Sequence, residues 1–184
     1  GVTVQNMASA KRGREIYVGL VTDDPFGPVI AFGAGGTMIE LINDRAMELP
    51  PLNQFLARRL IERSRVSETL GDWRGNAAVN MDALEQVLLR VSEMVCELPQ
   101  LREMDINPFI VDEHGAVAVD ARIVIDHASQ TSPGGANSYS HLAILPYPAR
   151  YSQVWPMAGG GEYSVRPIRP DDATMLQDLM QHLS

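Results

Sequence analysis

The chain has 184 residues, enough for one full domain or for one and a half small ones, with a net charge of −8, an isoelectric point near 4.9 and the 45% apolar content of an ordinary globular protein. The acidic charge argues against a nucleic-acid-binding surface, which needs a basic patch, but it is compatible with a nucleotide site built from a few local groups and a metal ion. The single cysteine, Cys96, excludes a disulfide framework, and no apolar run resembles a membrane span or a signal peptide. We therefore expect a cytoplasmic protein.

The first part of the chain alternates predicted strands and helices. Residues 13–23 read as a strand ended by two aspartates and a proline, and a second short strand covers 29–32. A short helix is predicted for 37–44, and a second one for 53–66, where apolar residues recur at a helical period. This alternation indicates an α/β or α+β fold.

The clearest predicted helix covers 81–98. Its apolar residues form one stripe, at positions 84, 87, 88, 91, 94, 95 and 98.

The stretch EMDINPFIVDEHGAVAVDAR, residues 103–122, predicts a β-hairpin whose loop is Asp112–Gly115. Counting back from this loop gives the opposed pairs Val111–Ala116, Asn107–Asp120 and Asp105–Arg122. The pairing depends on the register, since a slip of one residue moves every side chain to the other face.

Polar side chains converge in this predicted hairpin. Asp105 and Asn107 share a face because side chains alternate along a strand, and Asp120 lies directly across from Asn107. A few protein oxygens, completed by water and substrate phosphates, are the usual ligands of Mg²⁺. The alternative is a solvated sheet face on which Asp105 forms an ion pair with Arg122.

Glycines at positions 33, 35 and 36 lie between a predicted strand and a predicted helix, in the sequence FGAGGTMIE. Backbone N–H groups at such a junction favour a phosphate, and Gly33, Gly35 and Gly36 would let the backbone approach it. Neither a Walker A nor a Rossmann fingerprint is present. The alternative is a tight turn that binds no ligand.

The composition changes after residue 126. Residues 127–162 begin with a Ser-, Gly-, Pro- and Asn-rich stretch typical of a linker, and 163–184 read as a strand, a turn and a helix. We therefore divide the chain into 1–126, 127–162 and 163–184. The last segment is too short to bury a core, and a strand-like pattern starts at the first residue of the chain. We therefore expect a fragment of a longer protein.

Three blocks in the first segment resemble a known family. GREIYVGLVTDDPFGPVIAFGAGGTMIELINDRAMELPPL, DWRG and EMDINPFIVDEHGAVAVDARI are similar to the carboxy-terminal half of the ATP-grasp domain in ADP-forming acyl-CoA synthetases. The resemblance implies a mixed sheet with helices, binding of ATP or ADP with Mg²⁺ and of CoA, and phosphoryl transfer through a phosphohistidine on another domain.

The resemblance also implies roles for individual residues. Asn107 and Asp120 match the pair that binds the Mg²⁺ of the nucleotide, and Asp105 matches the acidic position that contacts the phosphohistidine segment. Gly35 and Gly36 match glycines near the path of the phosphate.

The resemblance leaves two points about individual residues: the role of Arg74 and the position of the phosphorylated histidine. Arg74 belongs to the RG block, where a role on phosphate and a role in packing are both open. No histidine fits the phosphorylated position; the four are His114, His127, His141 and His182.

The tail HLAILPYPARYSQVWPMAGGGEYSVRPIRPDDATMLQDLM resembles the junction that enters a GNAT acetyltransferase domain, as in a bacterial group of fused protein lysine acetyltransferases. This implies a parent protein that transfers acetyl from acetyl-CoA to protein lysines, with the ATP-grasp region binding Mg-nucleotide or regulating the transfer. The alternative is an active ADP-forming acyl-CoA ligase. In either case we expect the fragment alone to be inactive, and oligomerisation is left open.

Overall fold

The computed structural model describes residues 13–36, 44–72, 75–126, 139–169 and 172–182. The short helix predicted for 37–44 falls almost entirely outside these residues, as do Arg74 and His127. The chain divides into two compact units, 1–144 and 145–184, and each is described by itself.

The first unit contains a twisted antiparallel sheet. Its strands are β1 Arg14–Asp23, β2 Gly27–Ala34, β3 Ala46–Glu48, β4 Leu101–Val111, β5 Ala116–Ala118 and β6 Ala121–Ile125. The strand order is β3-β2-β1-β4, and both β5 and β6 pair with β4. The expectation of a mixed sheet is therefore corrected: every strand pair in the described part is antiparallel, since tight turns join β1 to β2 and β4 to β5.

Two α-helices cover one face of this sheet: α1 Gln54–Glu62 and α2 Met81–Glu97. Each begins at an asparagine whose side chain accepts a backbone N–H of the first turn, Asn53 for α1 and Asn80 for α2. A 3₁₀ helix, Arg65–Thr69, follows α1. Both helices confirm the predicted periodicity.

The apolar stripe predicted for α2 packs on the sheet. Its buried apolar side chains are Leu84, Leu88, Val91, Val95 and Cys96, whereas Leu98 lies beyond the helix and is 37% exposed. They meet the fully buried residues of the sheet, among them Ile16, Val18, Leu20, Ile30 and Phe32. Each large apolar side chain buried this way contributes about 1.5–3 kcal/mol, so this face carries most of the stability.

Since alternate residues of a strand point to opposite faces, the other face of the sheet carries Tyr17, Gly19 and Asp105. This is the face on which the predicted polar residues lie. On this face Asp105 is exposed, whereas Tyr17 is only 5% exposed.

The second unit contains a hairpin of β7 Gln153–Pro156 and β8 Glu162–Val165, followed by the helix α3 Ala173–His182. The strand and the helix predicted for 163–184 are therefore present, whereas Pro170 and Asp171 between them lie outside the described residues. The assignment of 127–162 as a linker stays a prediction, although Leu142 within it is buried in the core of the first unit. Among the described residues, none of the helices has the length and apolar character needed to cross a bilayer.

Candidate functional site

The β-hairpin adopts the predicted register. Val111 pairs with Ala116 and Asp105 pairs with Arg122, and the backbone N–H of Asn107 donates to the carbonyl of Asp120 at 3.2 Å. The loop is fixed by the Asp112 carboxylate, whose Oδ1 accepts the backbone N–H groups of residues 114 and 115 at 2.9 and 3.1 Å. The pairing that supported a metal site is thus confirmed.

A bulge interrupts the sheet beside Asn107. Ile16 pairs with Phe109 but Val18 pairs with Ile106, so Asn107 and Pro108 together oppose one residue of β1. Across the hairpin, β5 ends at residue 118 and β6 begins at 121, which leaves Asp120 outside a strand. Bulges of this kind turn side chains out of the ladder and are common next to active sites. The sequence prediction of two continuous strands missed this break.

The glycine loop reaches the same place. The backbone N–H of Gly36 donates to Oδ1 of Asn107 at 2.8 Å, and the N–H of Gly35 donates to the carbonyl of Glu15 at 2.9 Å. The N–H donor requires an acceptor, so the amide oxygen of Asn107 faces the loop. The structure therefore brings together Gly36 and Asn107, two residues that the sequence assigned to phosphate and metal separately.

Two of these positions require glycine for steric reasons. A Cβ on Gly35 would lie 2.5 Å from the backbone carbonyl of Ile16. Gly36 has φ +71°, and a Cβ there would overlap the Glu15 carboxylate. The close approach of the loop to β1 thus depends on the missing side chains.

Gly33 has a packing partner of its own. A Cβ at this position would overlap the backbone carbonyl of Asp44. The buried Asp44 carboxylate accepts backbone N–H groups from Ala34, Arg65 and Val66, at 3.3, 2.7 and 2.8 Å. Gly33 therefore allows the end of β2 to pack closely on Asp44, which binds the 3₁₀ helix. Its predicted contact with a cofactor stays a prediction.

Asp105 is an exposed carboxylate on the polar face of the sheet. Within the described part of the chain it forms no ion pair and no side-chain hydrogen bond, although Arg122 lies opposite it. Arg122 instead lies nearest to Glu103, at 4.0 Å. The expected alternative, an Asp105–Arg122 ion pair, is absent from the described residues, so this carboxylate is available to a partner.

The oxygens of Asn107 and Asp120 suit a hard cation such as Mg²⁺. The Asn107 amide oxygen accepts one hydrogen bond from Gly36 and retains a second lone pair. The Asp120 carboxylate is exposed. No group of three or more His, Cys, Asp or Glu side chains that could hold a metal occurs in the described ranges. A cation here would take its remaining ligands from water or phosphate, as Mg²⁺ commonly does.

The described histidines lie apart from this site. His114 is at the exposed hairpin tip, as predicted, with Glu113 at 3.7 Å. His141 contacts the carbonyl of Val95 through Nε2 at 2.9 Å, on the helix-covered side.

Comparison with known proteins shows the family. The model of the ATP-grasp domain matches residues 1–125. The chain belongs to the ATP-grasp family. It is 37% identical over 113 residues to the beta subunit of an ADP-forming acetate–CoA ligase I from Pyrococcus furiosus, covering 61% of this chain and 49% of that protein. It is 36% identical over 125 residues to the ADP-forming acetate–CoA ligase I of Archaeoglobus fulgidus, covering 68% of this chain and 18% of that protein.

Solved structures give the same result for this ATP-grasp protein. It superposes with TM-score 0.60 and 34% identity on an acetyl-coenzyme A synthetase of Candidatus Korarchaeum cryptofilum in complex with coenzyme A and Mg-AMPPCP, covering 62% of this chain and 54% of that one. PH1788 of Pyrococcus horikoshii superposes with TM-score 0.59 and 35% identity, covering 63% and 50%. The ATP-grasp domain of ADP-forming acyl-CoA synthetases, expected from the three sequence blocks, is thus supported.

The comparisons also bear on the expected activity. The chain spans about half the length of the Pyrococcus beta subunit and 18% of the Archaeoglobus ligase. These relatives are ADP-forming CoA ligases from archaea, which favours the ligase alternative over lysine acetylation and gives no support to a bacterial GNAT fusion. The family match ends at residue 125, so the second unit takes no function from it.

Proposed function

We propose that this chain supplies part of the nucleotide site of an ADP-forming acyl-CoA synthetase. The overall reaction converts ATP, a carboxylic acid and CoA to acyl-CoA, ADP and phosphate, with a histidine on another domain carrying the phosphoryl group. The observation that carries the proposal is the hydrogen bond between Gly36 N–H and Asn107 Oδ1, which joins the glycine loop to the metal-type residues.

Asn107 and Asp120 are the residues that would hold Mg²⁺. Their oxygens come from adjacent segments linked by the Asn107–Asp120 backbone hydrogen bond, so the hairpin register sets their spacing. A cation bound there supplies charge neutralisation to the nucleotide phosphates during phosphoryl transfer. The hydrogen bond from the Gly36 N–H orients the Asn107 amide.

Asp105 has a separate task in this proposal. Its exposed carboxylate accepts the N–H of the imidazole ring that receives the phosphoryl group, which orients the other ring nitrogen toward the nucleotide. The absence of an ion pair at Asp105 in the described residues supports this role, because a carboxylate already paired with Arg122 would have to break that contact first.

The test is ADP release in the complete enzyme that contains this chain. We would measure ADP formed from Mg·ATP with acetate and CoA together, with each withheld, and in the Asp120→Ala variant. Asp178→Ala, which removes an exposed aspartate of helix α3, is the matched control. We expect release that needs acetate and CoA, persists in the control and falls at least 100-fold in Asp120→Ala.

Two results would overturn the proposal. One is ADP release that survives Asp120→Ala, since the hairpin would then hold no essential metal. The other is protein that acetylates a target lysine from acetyl-CoA but releases no ADP, which would return the hairpin to a regulatory role.

A further inference from the structure

Tyr17 lies flat across Gly19 on the polar face of the sheet. A Cβ built on Gly19 would overlap the phenol hydroxyl and would lie 2.9 Å from Cε1 of the same ring. The ring of Tyr17 thus occupies the space that a side chain at position 19 would fill. The guanidinium of Arg45 lies 5.3 Å from the centroid of the same ring.

This arrangement places the Tyr17 hydroxyl beside Asp105. Gly19 and Asp105 are directly paired between β1 and β4. Side chains of directly paired residues have Cβ atoms about 5 Å apart. Because the Tyr17 hydroxyl lies where the Gly19 Cβ would be, it becomes the cross-strand neighbour of the Asp105 carboxylate.

The two groups share a small cavity of about 60 Å³. Its lining includes Tyr17, Glu103, Asp105 and Arg122, with Val21 and Val124 at its sides. Within the part of the chain that the structure describes, neither the Tyr17 hydroxyl nor the Asp105 carboxylate forms a hydrogen bond, whereas Arg122 is turned to Glu103. The cavity is therefore lined by a hydroxyl and a carboxylate side by side, the first on a tyrosine that is 5% exposed and the second on an exposed aspartate.

We infer that Tyr17 is a second contact residue of the Asp105 site. Its hydroxyl donates to a phosphoryl oxygen of the phosphorylated imidazole, and the N–H of the same imidazole binds Asp105. Gly19 provides the space for the ring of Tyr17. This inference rests on the proposed function for the identity of the incoming ring. It adds a hydroxyl donor from β1 to a site that the sequence assigned to the hairpin and the glycine loop.

The charge state of the phenol agrees with a donor role. Burial raises the pKa of Tyr17, and the neighbouring Asp105 carboxylate raises it further, while Arg45 acts in the opposite direction. Tyr17 therefore carries its proton at neutral pH. A protonated hydroxyl can donate to a phosphoryl oxygen without a change of charge in the cavity.

The first test is Tyr17→Phe in the complete enzyme, which removes one oxygen and keeps the ring over Gly19. We expect kcat for ADP release to fall at least 10-fold while KM for ATP stays within twofold. Tyr163→Phe, at an exposed tyrosine of β8, is the matched control and should change neither value. A ring that served only for packing would leave kcat unchanged in Tyr17→Phe, and that result would overturn the inference.

The second test addresses Gly19. Gly19→Ala should lower kcat to a similar extent by displacing the ring, but should cause no further loss when Tyr17 is already alanine. Losses that multiply in the double variant would show that Gly19 acts independently of Tyr17, which contradicts the inference.

A binding measurement separates this inference from the proposed function. Free phosphohistidine is the probe, titrated into wild type and Tyr17→Phe, and we expect at least fivefold weaker binding to the variant. Tyr17-dependent binding in an enzyme that releases no ADP would remove the proposed function but leave the inference standing. If Tyr17→Phe releases ADP and binds the probe as the wild type does, the proposed function stands and the inference about Tyr17 falls.

Discussion

The backbone N–H of Gly36 and the side-chain oxygen of Asn107 are joined by a 2.8 Å hydrogen bond across a separation of 71 residues. Gly36 follows β2, whereas Asn107 lies in the bulge of β4, and β1 runs between these two strands. A contact of this length along the chain forms only when the whole sheet is assembled. This hydrogen bond therefore places the predicted phosphate loop against Asn107, one of the two predicted metal residues, and the contact depends on the fold.

The first prediction concerns Gly36→Ala. The left-handed backbone at φ +71° costs an alanine about 1–2 kcal/mol, and its Cβ would overlap the Glu15 carboxylate. We expect the free energy of unfolding to fall by at least that amount in urea denaturation. The Mg²⁺ concentration needed for half-maximal ADP release should rise, because the Asn107 amide loses its fixed orientation.

Gly115→Ala is the matched control for this variant. Gly115 lies in the hairpin loop, and no atom lies within 4 Å of a Cβ built on it. Its unfolding free energy should stay within about 0.5 kcal/mol of wild type. If Gly36→Ala behaves like this control in both stability and Mg²⁺ dependence, the contact with Asn107 has no role in the site.

The second prediction concerns Asp105→Asn. Because the carboxylate is exposed and forms no ion pair within the described ranges, its removal should change the free energy of unfolding by less than about 0.5 kcal/mol. ADP release should nevertheless fall by about 100-fold or more, since an amide cannot stabilise an imidazole that gains positive charge. Asp178→Asn, the same substitution at an exposed aspartate of helix α3, is the control expected to retain activity. A stability loss as large as the activity loss would point to a structural role.

The hairpin register could be predicted from the sequence because local chemistry determines it. Asp112 and Gly115 define the loop, and strict alternation then fixes which residues face each other. The same reasoning placed Asp105 opposite Arg122. It could not show that Arg122 turns to Glu103, because the choice between two nearby carboxylates depends on the positions of side chains rather than on register.

Three other features depend on tertiary structure and were not predictable. The break at Asp120 faces the bulge at Asn107 and Pro108, whereas the residues AVAVDAR read as one continuous strand. β2 extends to Ala34, two residues beyond the predicted end, because its last residues pair with β1. The role of Gly19 becomes visible only when the ring of Tyr17 is placed over it.

The third prediction concerns Arg14→Met. The buried guanidinium donates to the carbonyls of Thr69, Gly71 and Ala77, at 2.8, 3.0 and 3.2 Å, and so holds the segment that flanks Arg74 against β1. Hydrogen bonds to a charged group contribute about 1.5–3 kcal/mol each, and less where the acceptor belongs to an exposed residue, as for Gly71 and Ala77. We expect the free energy of unfolding to fall by about 3 kcal/mol or more in urea denaturation.

Arg90→Met is the control for Arg14→Met, because Arg90 is a helix-surface arginine whose side chain is 75% exposed. Its loss should cost at most about 0.5 kcal/mol. Equal stabilities of the two variants would show that the carbonyls near residues 69–77 find other donors, and that the segment carrying Arg74 is held by other contacts.

The fourth prediction concerns the pH dependence of the second unit. Arg166 binds Asp172 through two hydrogen bonds of 2.7 and 2.5 Å, and the backbone N–H of Arg169 donates to the same carboxylate at 2.8 Å. The Arg166 guanidinium first, and the Arg169 N–H second, lower the pKa of Asp172 from 3.8 to about 2. Because the pKa of this carboxylate is lowered, its contact with Arg166 and Arg169 contributes fully to stability above about pH 4, and this contribution is lost as the pH falls through about 2.

The amide resonance of Arg169 in the full chain reports this titration directly. We expect its chemical shift to change with a midpoint near pH 2, and to show no such step in Asp172→Asn, where no carboxylate remains to titrate. A midpoint near the ordinary value of 3.8 would mean that the turn does not hold Asp172 against Arg166 in solution. Because helix α3 begins at Ala173, directly after this aspartate, loss of the contact should also reduce the helical signal of α3 over the same pH range.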